Sequence, residues 1–168
     1  MASMRELLVM RHAKSDWSLA GQADWDRPLN KRGQRDAPEM ARRVRSRRLK
    51  PDLILSSPAV RALTTASVMA RELKVPAARV RQDERLYLAS AADLLTVIRE
   101  LGGPARHVMV FGHNPGMTDC ANRLSAGDHI DNLPTCGVFT AQYDIADWKS
   151  LDWGSGQDAE FDYPRNHP

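Results

Sequence analysis

Three short segments of the sequence place histidine and arginine side chains directly after apolar runs. Arg11 and His12 follow the run "LLVM", His113 follows "HVMVFG", and Arg61 comes shortly after "LIL". A protein core normally excludes both kinds of side chain, so their position at the ends of apolar runs points to a functional site. Guanidinium groups bind oxyanions through forked hydrogen bonds, and imidazole is both a hydrogen-bond donor and a nucleophile.

The elements that would position these residues alternate between strands and helices. Helical stretches are predicted from Asn30, with a break or restart near Asp36 and Pro38, and from Pro58, with Ser57 as N-cap. Two further helices are predicted, one over 91–101 and one that ends near Leu124. Strands are predicted at 5–10, 53–55, 80–83, 107–111, 138–143 and 159–163. The pattern predicts a three-layer α/β/α sandwich whose mostly parallel sheet gains an antiparallel edge strand.

Ligands of an open α/β sheet bind beyond the carboxyl ends of the strands, so this arrangement would bring the four charged or polar groups together. Two guanidinium groups, two imidazoles and a helix N-terminus form a site for an anion, and phosphate is the anion that suits it best. The arginines disfavour the imidazolium form of a nearby histidine. We therefore expect His12 to act as the nucleophile and His113 to donate a hydrogen bond to the phosphoryl oxygens.

The charge pattern of the chain argues against a nucleic-acid partner. The net charge of +3 is concentrated in "ARRVRSRRLK" at residues 41–50, where the apolar residues lie at helical spacing and the arginines fall mostly outside that stripe. This pattern is typical of a solvated helix face. No aromatic residue is interleaved among the arginines, as a surface for single-stranded nucleic acid would require.

Composition places the 168-residue chain among ordinary soluble proteins, and we expect a single domain over residues 1–168. No apolar run approaches the roughly 20 residues of a membrane span, and no signal peptide is evident, so we expect a cytoplasmic protein with no membrane partner. Cys120 and Cys136 lack the spacing of a zinc site and are predicted to be buried, reduced side chains.

The motifs resemble those of the histidine phosphatase superfamily, which has the phosphoglycerate mutase-like fold. "MRHAKS", "SSPAVRALTTA" and "GHNPG" match its three signatures in order, and "DRPLNKRGQRDA" is similar to the segment between the first two. The resemblance implies that His12 accepts the phosphoryl group and that Arg11, Arg61 and His113 form the phosphate pocket. It implies no metal and no other cofactor.

Two positions depart from the family pattern. Ala13 stands where many members have glycine, and Ser18 stands where mutase-like members often have asparagine. Ser15 is a substitute candidate for the phosphate contact, and Asn114 is a second candidate for binding substrate. Glu84, just beyond a predicted strand, is the candidate general acid, although a solvated loop glutamate explains it equally well.

Within the superfamily the chain looks most like the small SixA-type phosphohistidine phosphatases, because little sequence between Arg61 and His113 is left for a substrate-capping insertion. The resemblance implies a phosphorylated protein partner, such as a histidine-containing phosphotransfer domain. A phosphohistidine also needs less help from a general acid than a phosphoester does. Two alternatives remain open: a small-molecule phosphomonoesterase, and a phosphate- or phosphoprotein-binding module without turnover.

Overall fold

A computed structural model describes residues 4–127 and 129–166 of the chain. Within them lie β1 (Met4–Arg11), β2 (Leu53–Ser56), β3 (Val80–Gln82), β4 (His107–Gly112), β5 (Val138–Asp144) and β6 (Gln157–Asp162). The α-helices are α1 (Lys31–Ser46), α2 (Val60–Glu72), α3 (Ala91–Leu101) and α4 (Gly116–Leu124). The strands lie where the apolar runs predict them, with small differences at their ends.

The strands form one sheet in the order β3-β2-β4-β1-β5-β6. The first four in this order are parallel, whereas β5 runs antiparallel to β1 and β6 runs antiparallel to β5. The predicted mostly parallel sheet with an antiparallel edge is therefore confirmed, and its antiparallel part contains two strands. The segments at 138–143 and 159–163 lack an intervening α-helix, which is why they pair as neighbours.

Helices cover both faces of the sheet, so the three-layer α/β/α architecture is also confirmed. On one face the apolar stripes of α1 and α2 pack against the sheet in a core that includes Met10, Ile54 and Phe111. On the other face α3 and α4 pack over Leu7, Val110 and further apolar residues. A strand buried on both faces reads as a continuous apolar run, as "LLVM" does.

The predicted break in the first helix is wrong, because α1 runs without interruption through Pro38. Proline removes one backbone hydrogen bond from a helix interior. Here the loss is offset because Ala37, Met40 and Val44 on the same helix are buried. The helix is fixed at its start by Asn30, whose side chain accepts a hydrogen bond from the Gly33 amide at 2.9 Å.

The second helix begins later than predicted, at Val60, and Ser57 does not cap it. The Ser57 hydroxyl instead accepts a hydrogen bond from the Ala59 amide at 3.2 Å and lies 2.8 Å from Nε2 of His113. Local helix signals could not predict this, because the partner of Ser57 lies 56 residues away in the sequence. Ser57 therefore belongs to the site between the strands.

The remaining surface and core features follow the sequence. Arg42, Arg45 and Arg48 are exposed, as the pattern of a solvated helix face predicts. Cys120 and Cys136 are buried free thiols, which confirms that prediction. No helix in the described part of the chain is long and apolar enough to cross a membrane. The cytoplasmic location stays a prediction.

Candidate active site

The carboxyl ends of three neighbouring strands meet at one place on the sheet. Arg11 at the end of β1 pairs with Gly112 at the end of β4, and Ser56 at the end of β2 pairs with Phe111. The chain leaves all three strands at the same edge, as expected for parallel strands in an open sheet. The residues that follow the strands are His12, Ser57 and His113.

His12 and His113 line a pocket of about 240 Å³. Its lining consists of Arg11, His12, Lys14, Ser15, Trp17, Asp24, Arg27, Arg61, Leu88, His113, Asn114 and Thr135. The structure thus brings together six of the seven predicted site residues; Glu84 is the exception. The lining carries four cationic side chains and one carboxylate, so the pocket is suited to an anion.

His12 is held in one tautomer by the backbone. The side chain is only 6% exposed, and its Nδ1 lies 2.7 Å from the carbonyl oxygen of Ala13. A carbonyl oxygen only accepts hydrogen bonds, so Nδ1 carries the proton and Nε2 keeps its lone pair. The loop is itself fixed, because the Ala13 amide donates to Oγ1 of Thr65 on α2 at 3.0 Å. Nε2 is therefore the ring nitrogen that is available to attack an electrophile.

The structure accommodates Ala13 where many family members have glycine. Its side chain is fully buried in the core beneath α1 and α2. The φ angle of Ala13 is not positive, so this position does not need the left-handed conformation that favours glycine. The alanine methyl group therefore packs in the core without backbone strain.

His113 lies beside His12, with 5.3 Å between the centroids of the two rings. Its Nε2 is 2.8 Å from the Ser57 hydroxyl. The hydroxyl oxygen also accepts from the Ala59 amide; donation of the hydroxyl proton to Nε2 places the proton of His113 on Nδ1. Nδ1 is buried and has no hydrogen-bond partner among the described residues.

Burial and neighbouring cations keep both histidines neutral. Burial lowers the pKa of His12 to about 3, and the positive charges of Arg61 and Arg11 act in the same direction. Burial also lowers the pKa of His113 to about 4, again with a contribution from Arg61. At neutral pH His12 is therefore an unprotonated base with a free lone pair, as nucleophilic attack requires.

Each of the two predicted arginines has a buried nitrogen without a partner. Arg61 is 2% exposed, and its two terminal nitrogens donate to the backbone oxygen and Oδ2 of Asp24 at 2.6 and 2.8 Å. Arg11 donates to the Leu133 carbonyl at 3.3 Å. The Nε atoms of both arginines and Nδ1 of His113 have no partner among the described residues. A buried donor left unpaired is costly, and an oxyanion would accept from all three.

Sequence reasoning did not identify Asp24 and Arg27, which form a second charged layer of the site. Oδ1 of Asp24 accepts from Nε of Arg27 at 3.1 Å, and Oδ2 accepts from the Tyr87 hydroxyl at 2.5 Å. Arg27 also donates to the Ser15 hydroxyl at 2.6 Å. The Cζ atom of the Arg27 guanidinium group lies 3.3 Å from the centroid of the Trp17 ring. The available signal was "DWDR", an acid and a base three residues apart in the loop after β1.

The structure does not place Glu84 in the pocket. Glu84 is the first residue of a 3-10 turn, Glu84–Leu86. The Leu86 side chain is buried in the core, whereas Glu84 is exposed. Leu86 anchors this turn in the core, and Glu84 is not among the residues that line the pocket. The carboxylate that does line the pocket belongs to Asp24.

The other proposed binding residues have structural partners. Ser15 lines the pocket, and its hydroxyl accepts a hydrogen bond from Arg27. Ser18 is exposed and lies outside the lining. Asn114 lines the pocket and also fixes the start of α4, because its side-chain oxygen accepts from the Thr118 amide at 3.1 Å. In the part of the chain that the structure describes, no group of three His, Cys, Asp or Glu side chains is placed to hold a metal ion.

The fold and the pocket define a class of protein: an α/β sandwich that holds a neutral histidine with a free lone pair in a cationic pocket. The family model for the histidine phosphatase superfamily (branch 1) matches residues 7–87. An uncharacterized Mycobacterium tuberculosis protein is 30% identical over 165 residues, which cover 93% of this chain and 100% of the relative. The chain belongs to the histidine phosphatase superfamily.

A further relative and two solved structures are also similar to the chain. An uncharacterized chloroplast protein of Arabidopsis thaliana is 34% identical over 146 residues, covering 82% of this chain and 66% of that protein. A crystal structure assigned to phosphohistidine phosphatase SixA of Agrobacterium tumefaciens is 29% identical, with a TM-score of 0.75 over 83% of this chain and 92% of that chain. A structure from Nakamurella, also assigned to SixA, is 21% identical, with a TM-score of 0.83 over 98% of both chains, and shows the same fold.

Proposed function

We propose that the protein is a metal-independent phosphatase that acts through a phosphohistidine intermediate at His12. One observation carries the proposal: a neutral histidine with its lone pair on Nε2 shares a small pocket with Arg11, Arg61 and His113. A site that only binds phosphate needs the arginines but not a histidine held in its nucleophilic tautomer. The combination therefore supports catalysis over binding alone.

In the first step the Nε2 lone pair of His12 attacks the phosphorus atom. The bond to the leaving group breaks, and the leaving group departs with its electron pair from the opposite side. Arg11 and Arg61 hold the phosphoryl oxygens, and His113 donates from Nδ1 to the negative charge on them. These donors supply the positive charge that a metal would otherwise bring, so we expect activity to survive dialysis against EDTA.

In the second step water attacks the phosphorus atom of the phosphorylated His12. The P–N bond breaks, its electron pair returns to Nε2, and inorganic phosphate leaves with the oxygen of the water. The hydrogen bond from Nδ1 to the Ala13 carbonyl holds the ring in place during both steps. Because the ring begins and ends in the same tautomer, the cycle needs no rearrangement of the histidine.

The substrate that the site supports best is a phosphohistidine side chain of another protein. The carboxylate of the lining is a poor proton donor, because partial burial raises the pKa of Asp24 but hydrogen bonds from Tyr87, Arg61 and Arg27 outweigh it and lower the pKa to about 2. An alkoxide leaving group needs a proton, whereas imidazole needs one less. Trp17 and Leu88 are largely exposed where they line the pocket, as a surface that receives a protein would be.

Side-by-side kinetics test this substrate assignment. We expect a phosphorylated histidine-containing phosphotransfer domain to give a higher kcat/KM than p-nitrophenyl phosphate or sugar phosphates. His12→Ala should abolish both activities, and His129→Ala, at an exposed histidine outside the pocket lining, is the matched control. A small phosphoester preferred by ~10-fold, which corresponds to about 1.4 kcal/mol, would make the protein a small-molecule phosphatase. Binding of phosphate without turnover of any substrate would make it a binding module.

A further inference from the structure

Asp24 is the one carboxylate among the described residues that line the pocket. Four donors fix its position: Arg61 and Tyr87 on Oδ2, and Nε and a terminal nitrogen of Arg27 on Oδ1. A carboxylate in a site for phosphate is unexpected, because it repels the phosphoryl oxygens and occupies arginine donors. Its elaborate fixation calls for a role that an anion can perform.

The depth of the residues indicates which part of the substrate Asp24 faces. His12, the nucleophile, is 6% exposed at the floor of the site, whereas the Asp24 side chain is 39% exposed. In a phosphoryl transfer the attacking and leaving atoms lie roughly in line on opposite sides of phosphorus. A nucleophile at the floor therefore directs the leaving group toward the open side of the pocket, where Asp24 lies.

Arg61 has donors for both the Asp24 carboxylate and a bound phosphoryl group. Its terminal nitrogens are bound to Asp24, and its buried Nε has no partner among the described residues. One guanidinium group thus donates to the backbone oxygen and the carboxylate of Asp24 and keeps its Nε for a phosphoryl oxygen. This arrangement allows Asp24 to remain in place while a phosphoryl group is bound.

We propose that Asp24 determines specificity by accepting a hydrogen bond from the leaving imidazole of a phosphohistidine substrate. This inference rests on the proposed function and names the residue that selects its leaving group. The phosphorylated ring departs most easily when its second nitrogen carries a proton, and a fixed carboxylate favours that form. An alkoxide offers no such N–H and is repelled by the same charge.

The step balances without a proton transfer to or from Asp24. The P–N bond to the substrate ring breaks, and its electron pair stays on the ring nitrogen, while the new bond forms between phosphorus and Nε2 of His12. The ring leaves as neutral imidazole because its second nitrogen keeps its proton, which is hydrogen-bonded to Asp24 throughout. Asp24 is an ionised acceptor throughout, in contrast to a general acid, which would have to be protonated first.

Asp24→Asn tests the inference, because it keeps the shape of the side chain and removes the charge. The substrates are a peptide phosphorylated on Nε2 of histidine, whose other ring nitrogen can carry a proton, and p-nitrophenyl phosphate, whose leaving group needs none. We expect the ratio of kcat/KM for the peptide over the ester to fall at least 10-fold. Asp26→Asn, at an exposed aspartate in the same 3-10 turn, should leave the ratio unchanged.

A second variant guards against a folding defect in Asp24→Asn. Tyr87→Phe removes one of the donors that fix the carboxylate and should lower the same ratio by a smaller factor. An equal loss on both substrates would mean that Asp24 only positions Arg61, and an unchanged or increased ratio would mean that it does not read the leaving group; either result overturns the inference alone. A wild-type protein that hydrolyses the ester but not the phosphohistidine peptide would overturn the proposed substrate as well.

Discussion

At the scale of single residues, Arg61 connects the two layers of the site. Its terminal nitrogens hold Asp24, and its Nε is an unpaired donor in a pocket that also contains His12. A forked guanidinium can bind two groups at once, whereas a lysine ammonium is a single point charge. The account therefore depends on the shape of this side chain as well as on its charge.

We expect Arg61→Ala to reduce kcat/KM by at least ~100-fold, the scale typical of losing one preorganised donor. Arg61→Lys should recover only part of the activity, because it restores the charge without the fork. Steady-state kinetics on p-nitrophenyl phosphate measure both variants. Arg71→Ala, at an exposed arginine of the same helix, is the control and should behave like the wild type. Wild-type activity in Arg61→Ala would contradict the pocket assignment.

The neutral histidines also make a prediction about stability and pH. The pKa values of His12 and His113, about 3 and 4, lie below the unperturbed value of about 6.5. At pH values between these limits the unfolded chain therefore binds more protons than the folded chain. The free energy of unfolding should therefore fall as the pH decreases from about 6.5 to 4. Urea unfolding at several pH values measures the slope. His12→Asn should flatten it, whereas His129→Asn should not; a slope unchanged in His12→Asn would contradict a neutral, buried His12.

The sequence was sufficient for residues that follow strands and insufficient for residues whose partners lie across a loop. His12, Arg11, Arg61 and His113 follow apolar runs, and parallel strands bring such positions together. The role of Asp24 depends on where the loop after β1 returns over the pocket, which no local pattern specifies. Glu84 lies outside the pocket lining, because no local pattern shows on which side of the buried Leu86 the pocket forms.

At the scale of elements, each of the two pocket histidines is held by a residue from a different segment. Ser57, after β2, contacts His113, after β4, and Thr65 on α2 holds the loop that carries His12. The Thr65 hydroxyl also donates to the Arg61 carbonyl at 2.8 Å, one turn earlier on α2. The strand ends were predictable from apolar runs, but the contacts of Ser57 with His113 and of Thr65 with Ala13 were not, since each joins residues far apart in sequence.

We expect Ser57→Ala to lower kcat about 10-fold or more, because it frees the ring of His113 from its orienting partner. A double-mutant cycle separates this role from a general packing effect. In a His113→Ala background the serine substitution should have little further effect. The control is Ser67→Ala, at an exposed serine of α2. Equal effects of Ser57→Ala in both backgrounds would mean that the serine does not act through His113.

At the scale of the whole molecule, the sheet order explains why one pocket forms. The strand order places β1 and β2 on either side of β4, so residues from three distant parts of the sequence follow adjacent strand ends. The sequence predicted this layering from alternating elements, while the uninterrupted α1 was missed because tertiary burial outweighs the local preference of Pro38. The strand order thus brings the segments after β1, β2 and β4 together, and those segments carry the side chains of the pocket.

The most direct test of the account is the position of the phosphoryl group in a trapped intermediate. Phosphohistidine is labile in acid, so turnover with p-nitrophenyl phosphate is stopped within milliseconds in alkaline detergent and analysed by mass spectrometry and 31P NMR. We predict a single phosphoryl group on Nε2 of His12, because Nδ1 is bound to the Ala13 carbonyl. A phosphoryl group on Nδ1 or on another residue, or sustained turnover by His12→Ala, would contradict the account.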